Sequence, residues 1–294
     1  MPSIPSSALR RRLLAGSLLA AAARPFAALA SESWPARPVR FVVPFPPGGP
    51  IDTTARIFSQ KLGELWKTPA VIDNRAGAGG VVGAASAARE VADGHALFVA
   101  SIHHAVTPSL MGRLPYDIEK DFAPVSFAAM FPVFVVAHPS VPAGSIGELI
   151  ALAKKDGSAP AMNDLLGGQV QLMFCDAPTA LQHIRTGRVK VLGVASRRRS
   201  AMLPEVPTVA ESGLPGYEAY SWAALFAPAR TPPAVLARIN ADFNTAMNDA
   251  SVRQRLLEAG AEADPGTPEQ LRQRLRGEMA KWSKVVRAAG ITAG

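Results

Sequence analysis

Two glycine-rich stretches carry the clearest chemistry in this sequence. Pro44-Phe45-Pro46-Pro47-Gly48-Gly49-Pro50-Ile51-Asp52 follows the apolar run Val39–Val43, and Gly77-Ala78-Gly79-Gly80 follows the short run Ala70-Val71-Ile72. Each stretch leads into a helical pattern. Ala55, Phe58, Leu62 and Leu65 share one face after Asp52, and an Ala-rich segment runs to about Ala92. A loop that opens a helix presents unpaired backbone N–H groups and the positive end of the helix dipole, a setting suited to a carboxylate or phosphate. Glycine lets the backbone approach a ligand with no side chain in the way. Ordinary tight loops are the alternative, since Gly and Pro mark turns in any chain.

Sequence motifs for catalysis are absent. Gly77-Ala78-Gly79-Gly80-Val81-Val82-Gly83 misses the dinucleotide spacing by one, and no acidic residue ends the next apolar run at Phe98–Ala100. GxxxxGK[ST], HExxH and GxSxG do not occur. His103 and His104 are adjacent, but no Cys or carboxylate stands at ligand spacing, and His95, His138 and His183 are isolated, so neither a metal nor a cofactor is expected. Asp52, Asp73 and Asp176 could supply a carboxylate pair, although helix capping explains Asp52 equally well. Cys175 follows the apolar run Val170–Phe174 and reads as a small buried hydrophobe.

The elements that must position these loops alternate along the chain. Runs at Val39–Val43, Ala70–Ile72 and Ala96–Ala100 are expected strands, with helices between them and a turn at Asp93-Gly94. That order predicts an α/β fold with right-handed crossovers and a parallel sheet. Ligands bind such sheets beyond the C-terminal strand ends, where both loops fall. Further strands are expected at Val125–Ala129, Val133–Ala137, Val170–Phe174, Val189–Ala195 and Trp222–Ala227. Ser145-Ile146-Gly147-Glu148 reads as a capping box opening a helix to about Lys154, with a second helix to about Leu166 and another near Thr179–Arg185. The C-terminal part reads as three helices, opened at Thr231-Pro232-Pro233, Ser251 and Thr267-Pro268-Glu269.

Composition bounds the class. Of 294 residues, 48% are hydrophobic and 18% charged, which supports a packed core and argues against disorder. Arg10-Arg11-Arg12, the apolar Leu13–Ala23 and Ala28-Leu29-Ala30 form a secretory signal over residues 1–30, by the twin-arginine or the general route. Its apolar run is too short to span a bilayer. Four of the 31 basic residues and none of the 23 acidic ones lie there, so the remaining chain carries only +4. A surplus that small favours anions weakly and does not indicate nucleic acid. The single cysteine excludes an intramolecular disulfide.

Several segments together resemble one family. Pro44-Phe45-Pro46-Pro47-Gly48-Gly49-Pro50-Ile51-Asp52 and Asp73-Asn74-Arg75-Ala76-Gly77-Ala78-Gly79-Gly80 are similar to the signature loops of the Bug-type, TctC-like substrate-binding proteins of tripartite tricarboxylate transporters. Asp93-Gly94-His95, His104-Ala105-Val106-Thr107-Pro108-Ser109-Leu110, Leu114-Pro115-Tyr116-Asp117, Lys120-Asp121-Phe122-Ala123-Pro124-Val125 and Leu203-Pro204-Glu205-Val206-Pro207-Thr208 match as well. So do Gly157-Ser158-Ala159-Pro160-Ala161 and Leu165-Leu166-Gly167-Gly168, and the likeness runs from about Pro38 to the C-terminus.

The resemblance implies a two-lobed fold of the periplasmic-binding-protein (type II-like) kind. Residues 38–130 with 228–294 would form lobe 1, and 131–227 a shortened lobe 2. It implies a monomeric, non-catalytic periplasmic receptor that holds a small organic acid in its cleft for the membrane subunits of a transporter. Gly48, Gly49, Pro50, Asp52 and Thr53 would hold one ligand end, Gly79, Gly80 and Ser101 would complete that wall, and Asp176 with Cys175 would face it from lobe 2. One departure stands out. Lys154-Lys155-Asp156 runs straight into Gly157-Ser158-Ala159-Pro160, where the family has a further strand–helix–strand unit of roughly thirty to forty residues. That unit normally supplies the second lobe's main anion-binding loop. A degenerate or repurposed scaffold, and less readily an α/β enzyme, are the alternatives.

Overall fold

The computed structural model describes residues 34–141, 144–148 and 172–291. The helices expected to about Lys154 and about Leu166 lie outside the described residues, apart from the start of the first. There, Glu148 N–H donates to Ser145 Oγ at 3.2 Å, and Glu148 Oε2 accepts from Gly144 N–H at 2.7 Å. Residues from Arg37 onward form one compact unit.

In that unit β1 (Val39–Val43) leads to α1 (Pro50–Trp66), β2 (Ala70–Asn74), a 3-10 turn at Ala78–Gly80, α2 (Val81–Ala87), β3 (Ala96–Ser101) and α3 (Ile102–Leu110). β4 (Phe122–Ala137), β5 (Leu172–Asp176), α4 (Ala177–Arg185), β6 (Lys190–Val194) and β7 (Tyr220–Pro228) come next. α5 (Pro233–Asn248), α6 (Ala250–Glu258), β8 (Glu262–Ala263) and α7 (Pro268–Ala288) end it. The architecture is α/β with a mixed sheet: β1 pairs in parallel with β2 and β3, and β3 pairs antiparallel with β7.

β4 joins two sheets. Its first stretch, to Pro132, pairs with β7, and β8 pairs beside it at Ala129 and Met130. Its second stretch, from Val133, pairs with β5 and β6. The two runs expected as separate strands are therefore one strand of 16 residues. Proline cannot donate to a ladder, and both of this strand's prolines sit where the ladder gives way. A register shift follows Pro124, and Pro132 lies where one sheet hands over to the next. β7, expected within 131–227, is hydrogen-bonded into the first sheet from Tyr220 onward.

Two core clusters flank the second sheet. Phe134, Val136, Cys175, Leu181 and Val194 pack on the α4 side, while Val135, Ala137, Ile146, Leu192 and Val209 pack on the other. In the first sheet Phe98, Tyr116, Phe127 and Trp222 pack with Leu271 and Leu275 of α7. The three C-terminal helices form as expected, with one difference at a start. Asp249 caps α6 in place of Ser251, accepting from the Ser251 and Val252 N–H groups. The capping box of α7 is Thr267 with Gln270. α2 is shorter than expected, ending at Ala87.

Candidate ligand-binding site

Parallel pairing brings the C-terminal ends of β1, β2 and β3 to one edge, and the loops that follow them meet there. Phe45 of the first loop packs at a tilt against His103 and edge-on against His104 of the third, with ring centroids 5.2 and 6.2 Å apart. Gly80 of the second loop lies against His104 and Phe45. A Cβ at Gly80 would stand 3.0 Å from His104 Nε2 and 3.4 Å from Phe45 Cζ. At Gly83 a Cβ would come within 2.7 Å of Pro44 Cα and 2.8 Å of the Arg75 carbonyl oxygen, so only glycine lets α2 seat so closely on the first loop.

The first loop is pinned by a buried carboxylate. Asp52 accepts from Gly48 N–H at 2.9 Å, from Arg56 Nε and Nη2 at 2.8 and 3.0 Å, and from Asn74 Nδ2 at 2.8 Å. Asn74 Nδ2 also donates to the Phe45 carbonyl at 3.1 Å. Burial pushes the Asp52 carboxyl up, but the bonds from Arg56, Gly48 and Asn74 and the Arg56 charge outweigh it and hold the group below the ordinary carboxylate value. Asp52 is thus occupied within the chain. It shapes the loop. Gly49 caps α1, Pro50 opens it, and Thr53 N–H returns to the Gly49 carbonyl at 2.9 Å. The Ile51 and Asp52 N–H groups precede any intrahelical acceptor.

The second loop contributes less. Gly80 and Val82 N–H groups bond to the Gly77 carbonyl, and Val81 N–H bonds to that of Ala78. Gly79, exposed at φ +63°, has open space where its Cβ would be.

The third loop begins at buried Ser101, whose N–H donates to His104 Nδ1 at 3.0 Å and whose Oγ lies 3.2 Å from His103 Nδ1. Burial pushes His104 down to about 4, against the carbonyls of Ser101 and Gly80, so its imidazole is a neutral cap. Ile102 and His103 then offer the first-turn N–H groups of α3.

The second sheet faces this edge. Ser101 is level with Ala223 on β7, and Ala223 with Ala129 on β4. Four residues further along β4, about 13 Å at the strand rise, Val133 pairs with Asp176. β5 and β6 both run toward the first sheet and end there, at Asp176 and Val194. Asp176 stands at the N-cap of α4 without capping it through its side chain, and burial pushes its carboxyl up to about 6. Cys175 points to the opposite face, into the core. Burial, and then the Asp176 charge, push its thiol up to about 11.

Of the residues expected at the site, Gly48, Gly49, Pro50, Asp52, Thr53, Gly79, Gly80 and Ser101 lie along one edge, and Asp176 ends the strand that faces it. Cys175 lies in the core. Sequence reasoning missed Phe45, Arg56, Asn74, His103 and His104 as parts of this wall. Arg56 was detectable, four residues after Asp52 on a helix face; the contacts of the other four depend on which loops the sheet brings together. Among the described residues no group of three or more His, Cys, Asp or Glu could hold a metal ion.

A mixed α/β sheet is thus extended by a second sheet, with helix N-termini along the facing edges. The family model of the tripartite tricarboxylate transporter family receptor matches residues 54–158 and 155–291, and the chain belongs to that family of non-catalytic, solute-binding receptors. The chain is 34% identical to protein BugT of Bordetella pertussis, over 90% of this chain and 93% of the relative. Rpa4515 of R. palustris, solved with adipate, superposes with a TM-score of 0.78 at 29% identity, covering 88% of this chain and 99% of that one. MatC (Rpa3494) of Rhodopseudomonas palustris, with bound malate, gives 0.73 at 30%, covering 86% and 100%. The two matched stretches meet at residues 155–158, where the sequence departs from the family pattern. The BugT alignment spans 302 positions, more than the 294 residues here, so BugT holds residues with no counterpart in this chain.

Proposed function

We propose that this chain captures a small organic acid in the periplasm and presents it, unchanged, to the membrane subunits of a tripartite tricarboxylate-type transporter. One observation carries this reading. The first-turn amides of α1 and α3 lie on one edge, while the start of α4, with Asp176, ends a strand directed at that edge. Helix N-termini suit a carboxylate, and opposed ones suit an acid with a polar group at each end. Adipate in Rpa4515 and malate in MatC are acids of that kind.

The same reading makes residues 38–132 with 220–291 one lobe and 133–219 the other, with hinges at Pro132–Val133 and Ala219–Tyr220. Closure about such hinges is the expected response to ligand. Arg10–Arg12, Leu13–Ala23 and Ala28-Leu29-Ala30 support export with cleavage before Ser31.

The break at 155–158 favours one second reading, a scaffold that has lost half of its ligand cage. Thermal melts of the chain from Ser31 with mono-, di- and tricarboxylates separate the two. A ligand at a hundred times its dissociation constant adds about 2.7 kcal/mol. A melt that one acid raises supports capture, and a melt that none raises supports the degenerate scaffold.

A further inference from the structure

The C-terminal part of the chain touches the second sheet at two points. Gly260, at φ +78°, lies so close to the start of α4 that a Cβ there would stand 2.6 Å from Pro178 N, 2.8 Å from Pro178 Cα and 3.0 Å from the Ala177 carbonyl carbon. All three are backbone or proline-ring atoms next to Asp176, and none can swing aside as a flexible side chain would. Two residues on, Glu262 Oε1 accepts from Ser200 Oγ at 2.8 Å and from Ala201 N–H at 3.1 Å. Glu262 pairs with Met130 of β4, on the first sheet. Ser200 and Ala201 belong to the loop after β6, whose end Ala195 bonds to the Val133 carbonyl. One short segment anchored to the first sheet therefore touches both the start of α4, directly after β5, and the loop after β6.

We propose that Gly260-Ala261-Glu262 is a clasp between the two sheets that positions Asp176 and the start of α4 toward the ligand. The proposal rests on the carboxylate-binding reading for what Asp176 faces. Gly260 acts by having no side chain, and Glu262 by accepting two hydrogen bonds with one oxygen. Glu262→Gln keeps that acceptor and Glu262→Ala removes it. Gly187→Ala is the control for backbone strain, because Gly187 has a similar φ of +68° and no atom within 4 Å of a Cβ.

The experiment measures two quantities on the chain from Ser31: the NMR titration midpoint of the Asp176 carboxyl, and the calorimetric affinity for adipate and malate. Gly260→Ala and Glu262→Ala should move the midpoint away from the wild-type value. They should also weaken binding roughly tenfold, as expected if one molecule in ten keeps the competent arrangement. Glu262→Gln and Gly187→Ala should match the wild type in both. If Gly260→Ala does not fold, the two Glu262 variants decide. If the wild-type chain binds neither acid, the midpoint decides the clasp alone. An unmoved midpoint overturns the clasp. So does a moved midpoint with wild-type affinity in a chain that binds.

Discussion

Arg56 grips the buried Asp52 carboxylate with two parallel bonds, Nε to Oδ2 at 2.8 Å and Nη2 to Oδ1 at 3.0 Å, from one turn further along the same helix. Arg56 is half exposed whereas Asp52 is buried, so the pair is anchored from the Asp52 side. With Gly48 N–H and Asn74 Nδ2 on the same carboxylate, the pair ties β1, β2 and α1 into one rigid loop. Asp52→Ala removes the acceptor that Gly48 N–H, Asn74 Nδ2 and Arg56 share and should cost about 1–3 kcal/mol in urea unfolding. A loss below about 0.5 kcal/mol, the level of an ordinary surface change, would show that the loop holds its shape by other means.

Gly83→Ala tests the seat of α2 on that loop. The new methyl would meet Pro44 and the Arg75 carbonyl below 3 Å. Overpacking of this kind typically costs about 1–3 kcal/mol, and it shifts the wall itself. Both stability and acid affinity should fall. Loss of stability with wild-type affinity would place the ligand away from this edge.

Asp176 and His104 make opposite contributions to the pH dependence of stability. Asp176 is raised to about 6, so in the folded chain it holds its proton longer than in the unfolded one. Its contribution is full below the unfolded value near 4 and is lost as pH rises through 6. His104 is lowered to about 4. Its contribution is full above about 6.5 and is lost as pH falls toward 4. In the wild type the two trends oppose each other between pH 4 and 6. Asp176→Asn should expose a loss of about 1–3 kcal/mol on acidification, and His104→Gln, which keeps the acceptor for Ser101 N–H, a gain of similar size. Denaturant melts at several pH values read both slopes. Identical profiles in the two variants would contradict the assignment.

Cys175 is a packing thiol. It lies among Phe134, Val136, Ala180 and Leu181, with its thiol raised to about 11. Native protein at pH 7.5 should resist iodoacetamide and become reactive on unfolding in urea. Cys175→Ser should cost about 1–2 kcal/mol by placing a hydroxyl in an apolar setting. Prompt alkylation of the folded chain would mean that the thiol is exposed at the cleft.

The first half of the fold was legible because the chemistry is local. The run Val39–Val43 forms a strand with the limits its apolar residues set, and Gly48-Gly49-Pro50 opens α1 as its residue types require. The joining of two sheets through one strand was not legible. Pro132 reads as a breaker in a one-dimensional pattern, and only the pairing of Val133 with Asp176 shows the strand continuing past it. For the site, glycines mark backbone that approaches something, and that signal is local. The partners of Asp52 come from Asn74 and Arg56, and the Phe45–His103 ring contact joins loops 58 residues apart in sequence. Such contacts depend on the order of strands in the sheet. Cys175 and Asp176 illustrate the limit: adjacent strand residues point to opposite faces, and which faces the cleft is set by register.

Backbone NMR of the 15N-labelled chain from Ser31, titrated with adipate, tests the binding edge most directly. The largest saturable shifts should fall on the amides of Gly49, Ile51, Asp52, Ile102 and His103, with Asp176 and Ala177 responding across the cleft. Shifts confined to other surfaces, or none with any of the mono-, di- and tricarboxylates tried, would contradict a carboxylate held by these helix N-termini.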